Sequence, residues 1–523
     1  MGDRDNLPEL PKGWVWTTVG EVGCIASGQT PKEISELSKK GGIPFYKVSD
    51  MNKHENRRFM VKSEIYLEET ELIKLRINLH PAGTVIFPKR GGSIATNKKR
   101  ILKQTSAYDL NIMGVYPFIP FNYFYYWLLK IDLATLSDGS NVPQINHKDI
   151  EPLFFPLPPL PEQHRIVAKI EELFTQLDAG VELLKKLKAK LKRYRQAVLK
   201  AAVEGKLTKD WREAHQGELE PASVLLECIL KERREKWEAE QLAQMKAKGK
   251  TPKDDSWKLK YKEPVAPNIS DLPELPEGWL WARISQLGDV QLGRQRAPRH
   301  HTGTHMRPYL RVANVFEDRI DTLDILEMNF TPEEFKIYQL AYGDILLNEG
   351  QSLEMVGRPA IYRNEVPGAC FQNTLVRFIA FKGLIPEYAL CVFRAYLHNG
   401  RFQRIARWTT NIAHLGGGRF AELEFPLPSL SEQHTIVTEV ERCLSIIKEL
   451  EKVLENNLKR AEKLRQSILK KAFGGKLVPQ DPTDEPADKL LERIKAEKAK
   501  REAEAKAKKK QKQPGKSQQL ELF

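Results

Sequence analysis

The chain has 523 residues and a mass of 60.0 kDa, too long for one ordinary core, so its length predicts two to four domains. Its residues are 41% hydrophobic and 29% charged, and no apolar run approaches the roughly 20 residues of a membrane span. The formal charge is +14, but residues 493–516 hold eleven Lys and Arg against three Glu. More than half of the net positive charge therefore lies near the end of the chain, and net charge alone does not establish nucleic-acid binding.

The cysteines are widely spaced and form no C-x-x-C pair. This pattern favours reduced thiols in a cytoplasm and indicates neither a disulfide framework nor a cysteine zinc site. Residues 1–5 are polar and lack the apolar stretch of a secretory signal, which also favours a cytoplasmic location.

The chain contains an internal repeat. Its opening segment, LPELPKGWVW at residues 7–16, returns as LPELPEGWLW at 272–281. Three more segments recur 270 positions later: FPLPPLPEQH at 155–164 as FPLPSLSEQH at 425–434, RQAVLK at 195–200 as RQSILK at 465–470, and GKL at 205–207 as GKL at 475–477. One plan is therefore used twice, once in each half of the chain.

Two inserts lie between the repeated segments, at residues 17–154 and 282–424, and they share little sequence beyond short apolar runs. Both alternate short β-type runs, broken by Gly and Pro, with helical patches. The predicted strands are 43–48, 83–87, 309–313 and 343–347, and the predicted helices are 121–129 and 388–397. Each insert is therefore predicted to be a mixed α/β domain with a target of its own, held in a shared frame.

A long helix is predicted after each insert. Glu162 and Glu432 fall in its first turn, where the positive end of the helix dipole favours an acid, and Ser431 is the predicted N-cap of the second helix. Both helices repeat apolar residues at 4-3 spacing over nearly five heptads, which is typical of a coiled-coil seam. The seam residues are Ile166, Ile170, Leu173, Leu177, Leu184, Leu187 and Leu191 in the first helix, and Ile436, Val440, Ile447, Leu450, Leu454, Leu464 and Ile468 in the second. Two equal seams in one chain predict an antiparallel helix pair with one insert at each end.

The predicted architecture is an α+β multidomain protein in which two mixed α/β domains are separated by a long antiparallel two-helix coiled coil, with a pseudo-two-fold internal repeat. The segments are two globular domains (1–157 and 271–427), two spacer helices (158–207 and 428–475), a helical segment with a linker (208–270) and a helical basic tail (476–523). Residues 487–510 match residues 222–245, so the end of the chain is expected to pack near its start.

Polar loops in the two inserts are the candidate DNA contacts. Lys and Arg suit phosphates, whereas Arg, Asn and Gln also suit base edges. The first insert supplies Lys89, Arg90, Asn97, Lys98, Lys99, Arg100, Asn141 and Gln144, and the second supplies Arg294, Arg296, Arg299, Asn348, Arg407, Thr410 and Asn411. For any single one of these residues, a solvated surface loop is the alternative.

No catalytic, cofactor or metal site is predicted in this chain. The GKT at residues 249–251 lacks the Gly that a phosphate-binding loop needs five residues earlier, and adenine-methyltransferase motifs of the N-P-P-[YF] type are missing from the sequence. His300 and His301 have no partner carboxylate or cysteine cluster, which favours a polar loop over a metal site. His164 and His434 recur in the repeat with no nucleophile nearby, which favours capping or subunit contact.

The duplicated PLPxLxEQH, RQ[AS][VI]LK and LPxGW segments resemble those of specificity subunits of Type I restriction-modification systems, over essentially the whole chain. The resemblance implies that the inserts are target recognition domains, each reading one part of a split, asymmetric DNA site, with the helices setting their separation. It implies two methyltransferase partners, which methylate adenine from S-adenosylmethionine, and two restriction/translocase partners that use ATP and Mg. It also implies a non-catalytic chain without a cofactor of its own, in the cytoplasm of a bacterium or archaeon.

Two other functions fit parts of the pattern: a free-standing coiled-coil DNA-binding regulator, and a coiled-coil scaffold without a nucleic-acid target. Two unlike inserts in one repeated frame argue against the scaffold, which has no need of distinct domains. A neighbouring gene that encodes an N-P-P-F-type methyltransferase would favour the specificity subunit over the regulator.

Overall fold

The computed structural model describes residues 7–35, 42–139, 141–252, 254–409 and 411–511. The chain divides into two compact units. Unit 1 comprises Met1–Leu184 and Asn456–Phe523, and unit 2 comprises Lys185–Glu455. Within the described ranges, no helix combines the length and the apolar character needed to cross a membrane.

Unit 1 contains the first insert. Its strands are β1 (Val15–Thr18), β2 (Gly23–Ser27), β3 (Ile43–Tyr46), β4 (Phe59–Met60), β5 (Ile65–Leu67), β6 (Val85–Pro88), β7 (Arg100–Leu102), β8 (Ala107–Tyr108), β9 (Ile112–Pro117) and β10 (Phe154–Leu157). Its helices are α1 (Val19–Val22), α2 (Glu69–Leu75), α3 (Phe121–Leu129), α4 (His147–Ile150) and the first part of α5 (Leu160–Val203). The strands form a sheet of order β2-β9-β6-β7-β4, a second of order β5-β3-β8, and the antiparallel pair β1-β10.

Unit 2 contains the second insert. Its helices are α6 (Lys209–Ala214), α7 (Ala222–Ala247), α8 (Ile284–Leu287), α9 (Pro332–Tyr338), α10 (Pro386–His398), α11 (Arg401–Ile405), α12 (Gly417–Ala421) and the first part of α13 (Leu430–Ala472); α14 (Ala487–Gln511) belongs to unit 1. Its strands are β11 (Leu280–Arg283), β12 (Gly288–Leu292), β13 (Met306–Leu310), β14 (Val315–Phe316), β15 (Arg319–Ile320), β16 (Leu326–Asn329), β17 (Ile345–Asn348), β18 (Gly350–Gln351), β19 (Pro359–Ile361), β20 (Cys370–Phe371), β21 (Leu375–Ala380), β22 (Arg407–Thr409), β23 (Ile412–His414) and β24 (Glu424–Leu427).

The two inserts share one sheet topology despite their different sequences. The order β2-β9-β6-β7 in unit 1 corresponds to β12-β21-β17-β19 in unit 2, and all of these pairs are antiparallel. The order β5-β3-β8 corresponds to β16-β13-β20, with one antiparallel and one parallel pair in each. The mixed α/β prediction is confirmed, and the shared topology is a finding that the sequences did not reveal.

Each unit closes its core around an aromatic helix and the ends of both long helices. In unit 1, α3 places Tyr123 5.8 Å from Phe155 and 5.2 Å from Phe473, the residue that follows α13, measured between ring centroids. Ile166 and Ile170 of α5 join the same buried cluster. The corresponding cluster of unit 2 combines α10 with buried residues from the end of α5 and the start of α13. Removal of these apolar surfaces from water is the main stabilising term for both units.

The two long helices run antiparallel within each unit, as predicted. In unit 1, Asp178 of α5 forms an ion pair with Arg465 of α13. In unit 2, Lys188 lies 3.0 Å from Glu455, and Arg195 lies 2.8 Å from Glu451. Later residues of one helix therefore meet earlier residues of the other.

The predicted apolar seam is buried only in part. Leu454 is 4% exposed, whereas Leu450, four residues earlier on the same helix, is 46% exposed. Leu187 and Leu464 are likewise exposed, although Leu191 and Ile468 are buried. A straight α-helix drifts from a strict heptad repeat, and a pair of helices covers only a narrow stripe, so 4-3 spacing does not bury every member.

The C-terminal helix occupies in unit 1 the place that α7 occupies in unit 2. The backbone N–H of Ala487 donates to Gly13 O at 2.9 Å, and that of Ala222 donates to Gly278 O at 3.0 Å. The prediction that the end of the chain packs near its start is therefore confirmed. After α7, Trp257 packs on Trp237 with ring centroids 6.0 Å apart, so the predicted linker is partly folded against that helix.

Candidate nucleic-acid interface

The repeated segments form a structural joint at the base of each insert. The indole N–H of Trp14 donates to Glu162 Oε2 at 2.9 Å in unit 1, and that of Trp279 donates to Glu432 Oε2 at 2.8 Å in unit 2. The neighbouring strands pair as β1-β10 and β11-β24, which brings the start and end of each insert together. The LPxGW and PLPxLxEQH segments are therefore parts of one joint that supports each insert.

The glycine of the repeated GKL segment also has a steric role. Gly205 and Gly475 have φ of +66° and +65°, in the left-handed region that favours glycine. A methyl group at Gly205 would overlap Pro276, and one at Gly475 would overlap Pro11. Each glycine thus lets a proline of the LPxGW segment approach the end of the helical frame.

The helix cap differs from the prediction by two residues. Because α13 begins at Leu430, Ser431 already lies inside the helix and is exposed. The hydroxyl of Ser429 instead accepts the backbone N–H of Glu432 at 3.2 Å. Ser429, not Ser431, is therefore the capping residue.

The two joints differ in how they satisfy the buried glutamate. In unit 2, Glu432 Oε1 accepts from Thr208 Oγ1 at 2.7 Å and from the Arg212 guanidinium at 2.5 Å. In unit 1, Glu162 Oε1 makes no hydrogen bond of full geometry with a described residue, although the side chain is buried and Gln480 and Arg165 act on its carboxylate. Burial raises the pKa of Glu162, and the Trp14 hydrogen bond, the Arg165 charge and Gln480 only partly offset this.

Two polar segments meet beside the central strand of each insert. In unit 1, Arg90 bridges Gln144, and the N–H of Gly91 donates to Pro143 O at 2.7 Å. In unit 2, Gly350 pairs with His414. We call residues 89–91 with 141–146, and residues 349–351 with 411–416, the loop edge of each unit. The two loop edges occupy equivalent positions in the shared topology but carry different side chains.

The loop edge of unit 1 is basic and rich in hydrogen-bonding groups. Arg90 and Asn141 are exposed, and the Gln144 amide donates to Asn146 Oδ1 at 2.9 Å. Lys89 Nζ donates to Ser27 Oγ at 3.0 Å, and burial followed by the neighbouring Arg90 charge lowers the Lys89 pKa.

His147 was not identified from the sequence, because it is brought to this edge only by folding. Its Nε2 lies 3.2 Å from Ser27 Oγ, which also accepts the Lys89 hydrogen bond. An exposed imidazole at this position can donate to a phosphate oxygen when protonated.

The second predicted cluster of unit 1 is mainly structural. Lys99 is buried, and its Nζ donates to Asn97 Oδ1 at 2.5 Å and to Ile131 O at 2.7 Å, while burial lowers its pKa to about 8. Arg100 donates to Lys99 O and to Met51 O. Asn97 also accepts the N–H of Leu133, and Lys98 is bonded to Asn52. These internal bonds place Lys99 outside the exposed candidate surface and leave Asn97, Lys98 and Arg100 only partly exposed.

The loop edge of unit 2 carries a different set of groups. Arg407 and Asn411 are exposed; Thr410 lies outside the described residues. His414 Nδ1 lies 2.9 Å from Glu349 Oε2, which ties β23 to the end of the central strand. Trp408 is 56% exposed on the edge strand β22, and an exposed tryptophan in a polar setting is typical of a binding surface.

Two predicted contacts of unit 2 are buried in its interior. Arg294 forms a two-point ion pair with Glu334, at 2.9 and 2.8 Å, and its guanidinium lies over Phe330. Asn348 is fully buried at the end of β17 and donates to Val315 O at 3.4 Å. These two residues therefore support the fold and do not reach the loop edge surface.

Arg296 and Arg299 remain exposed in the loop that follows β12. Their Nε atoms donate to His301 Nε2 at 3.0 Å and to His300 Nε2 at 3.1 Å. The loop therefore presents two guanidinium groups, which suit phosphate oxygens.

Residues 11–193 and 276–460 match the family model of the Type I restriction modification DNA specificity domain, and together they cover more than half of the chain. The chain belongs to this family. Membership in the DNA specificity family confirms the sequence-based prediction and does not favour the regulator or the scaffold. The two matched regions correspond to the two copies of the repeat.

Curated relatives of this specificity family protein match over almost its whole length. The Type I restriction enzyme EcoKI specificity subunit of Escherichia coli (strain K12) is 25% identical over 94% of this chain and 97% of that protein. The StySPI specificity subunit of Salmonella potsdam is also 25% identical, over 94% of this chain and 97% of its own. A chain from a solved structure of a Type I restriction-modification system, concerning its assembly and conformational transition, aligns with a TM-score of 0.61 at 16% identity, covering 90% of this chain and 100% of that one.

Proposed function

We propose that this chain is the sequence-reading subunit of a Type I restriction-modification complex and that each unit reads one part of a bipartite, asymmetric DNA site. The observation that carries the proposal is the pair of loop edges. One frame and one sheet topology place them at the same position in each insert, yet their exposed side chains differ. A repeated support with two different contact surfaces suits the reading of two different base sequences.

The catalytic steps belong to partner subunits in this proposal. Two methyltransferase subunits use S-adenosylmethionine to methylate adenine, and two restriction/translocase subunits use ATP and Mg. This chain contributes no catalytic residue and acts in the cytoplasm, where the DNA is.

The exposed apolar residues of the long helices, some of them in the predicted seam, support a role in holding the methyltransferase subunits. In unit 2, exposed apolar side chains lie on both helices, among them Leu187 and Tyr194 on α5 and Ile446, Leu450 and Val453 on α13. Exposed apolar side chains on both helices suit a contact with another protein.

The test is co-expression of the chain with the methyltransferase subunit of its complex, followed by methylome sequencing. We expect N6-methyladenine in a bipartite motif whose two halves differ and are separated by a fixed number of unspecified bases. The same cells lacking this chain are the control and should lack the motif. Methylation without a bipartite motif, or an unchanged methylome, would overturn the proposal.

A further inference from the structure

The two loop edges carry the same pair of residue types at equivalent positions. Asn141 is followed by Val142 in unit 1, and Asn411 is followed by Ile412 in unit 2. Three residues after each Asn comes the edge residue that pairs with the central-strand loop, Gln144 with Arg90 and His414 with Gly350. Among otherwise different edges, this Asn–aliphatic pair is the shared element.

Both members of each pair face solvent. Asn141 and Asn411 are exposed, and the aliphatic side chains retain 54% of their accessible surface at Val142 and 48% at Ile412. The next residues inward, such as the buried Ala413, cover the core instead. The two units therefore present a β-branched side chain at the same place in a polar loop, where it is accessible to a ligand.

The backbone holds the aliphatic side chain of unit 2 in place. Ile412 pairs with Thr409 of β22, and its Cγ2 packs over the backbone of Gly350, 3.5 Å from the position that a Cβ would take there. His414, on the same face of β23, is fixed by Glu349. Ile412 therefore sits on a supported strand, directly after Asn411.

These two side chains match the two halves of one A·T base pair in the major groove. An Asn amide donates to and accepts from adenine N7 and N6 in two-point geometry, and an aliphatic side chain contacts the C5-methyl group of thymine. A G·C pair offers neither an amino donor beside the purine N7 nor a methyl group. Exposed Arg90 and Arg407 pair with Gln144 and His414, the residues three positions after each Asn, and they suit the flanking phosphates.

Building on the proposed function, we propose that each unit uses its Asn–aliphatic pair to read one A·T pair, so that each half of the bipartite site contains an A·T pair recognised through adenine N7 and the thymine methyl group. Asn141 and Val142 determine this position in one half, and Asn411 and Ile412 determine it in the other.

The test uses the full chain with its methyltransferase subunit and synthetic duplexes of the motif found by methylome sequencing. Each thymine in turn is replaced by uracil, which lacks only the methyl group, and each adenine by 7-deazaadenine, which lacks N7. We expect one A·T position in each half where either replacement weakens binding by about fivefold or more.

The variants assign the contacts. Ile412→Ala should abolish the uracil effect in one half only, and Asn411→Ala the 7-deazaadenine effect in that same half; Val142→Ala and Asn141→Ala should do so in the other half. Leu323→Ala, an exposed leucine of unit 2 away from the loop edge, is the control and should change neither effect. Thermal unfolding of each variant checks that its fold is unchanged.

The outcomes separate this inference from the proposed function. If a bipartite motif exists but uracil and 7-deazaadenine have no effect at any position, or their effects persist in all four variants, the Asn–aliphatic assignment is wrong while the specificity function stands. If no bipartite motif is found, the proposed function fails first.

Discussion

At the scale of single residues, the repeat preserves contacts that sequence letters do not reveal. The tryptophan of each LPxGW segment donates a hydrogen bond to a distant glutamate, Glu162 in unit 1 and Glu432 in unit 2, which lie 148 and 153 residues later. Gly205 and Gly475 let a proline of that same segment lie against the helical frame. The duplicated positions are thus the joints of the molecule, and the inserts are free to differ.

Gly205→Ala is expected to lower the free energy of unfolding by at least about 1–2 kcal/mol, because an alanine is strained at positive φ and its methyl group overlaps Pro276. Gly475→Ala should act similarly through Pro11. Thermal or urea unfolding measures the change. Gly180→Ala, at an open position inside α5, is the matched control and should be neutral or stabilising by up to about 1 kcal/mol.

Glu162→Gln and Glu432→Gln are expected to differ although the residues are equivalent. Glu432→Gln removes a buried charge from Arg212 and should cost about 2–3 kcal/mol. Glu162→Gln keeps an acceptor for Trp14 and removes a carboxyl whose pKa is raised in the folded state. A similar loss of stability in both variants would contradict this account.

The pH dependence follows from the sign of that shift. Because the pKa of Glu162 is higher in the folded than in the unfolded state, the folded state binds the proton more tightly and is stabilised at low pH. This contribution to the free energy of unfolding is lost as the pH rises from about 4.3 through the pKa of the folded state. The stability of Glu162→Gln relative to wild type should therefore increase over this pH range and then level off. Unfolding curves of both proteins between pH 4 and 8 measure the difference.

Residue-level candidates were the hardest part to predict from the sequence. Lys99 and Arg90 look alike in a basic segment, but one is buried against Ile131 O and the other is exposed. Arg294 reads as a surface arginine until its partner Glu334, 40 residues later, is placed beside it. Composition indicates charge, whereas burial depends on distant parts of the chain that local sequence does not specify.

At the scale of elements, periodicity predicted the long helices and their antiparallel pairing. Periodicity could not predict which apolar positions the helix pair buries, because residues at the same 4-3 spacing lie both between the two helices and on their exposed surface. Leu454 and Leu450 belong to one predicted seam, yet only the first is covered. The exposed members are the ones available to another protein.

Leu450→Lys should leave stability within about 0.5 kcal/mol of wild type but weaken association with the methyltransferase subunit. Leu454→Ala, the matched buried position, should cost about 2–4 kcal/mol without removing the partner contact. Thermal unfolding and co-purification separate the two effects. If Leu450→Lys destabilises the chain as much as Leu454→Ala, the residue belongs to the inner seam.

At the scale of the whole molecule, the two inserts have different sequences but fold with the same sheet topology. The strand order β2-β9-β6-β7 and its counterpart depend on pairing between distant segments, so a comparison of local patterns did not reveal it. The repeated frame, by contrast, is local in sequence and could be recognised directly.

Replacement of residues 17–154 by the first insert of another family member should change one half of the recognised motif and leave the other half intact. The reason is that this insert contributes the loop edge of unit 1 and none of unit 2. Methylome sequencing of cells carrying the exchanged chain reads both halves at once. A change in both halves would mean that the two units do not read DNA independently.

Unit 1 is assembled from the first and last parts of the chain, which has a consequence for biosynthesis. Its core needs Phe473, which follows α13, and Leu490 of α14, so it stays incomplete while the whole of Lys185–Glu455 is translated. At about 5–20 residues per second that interval is roughly 15–50 s. All of unit 2 is therefore synthesised before the last part of unit 1. During that interval the apolar surface around Tyr123 and Phe155 is exposed on the nascent chain, where a chaperone can bind it.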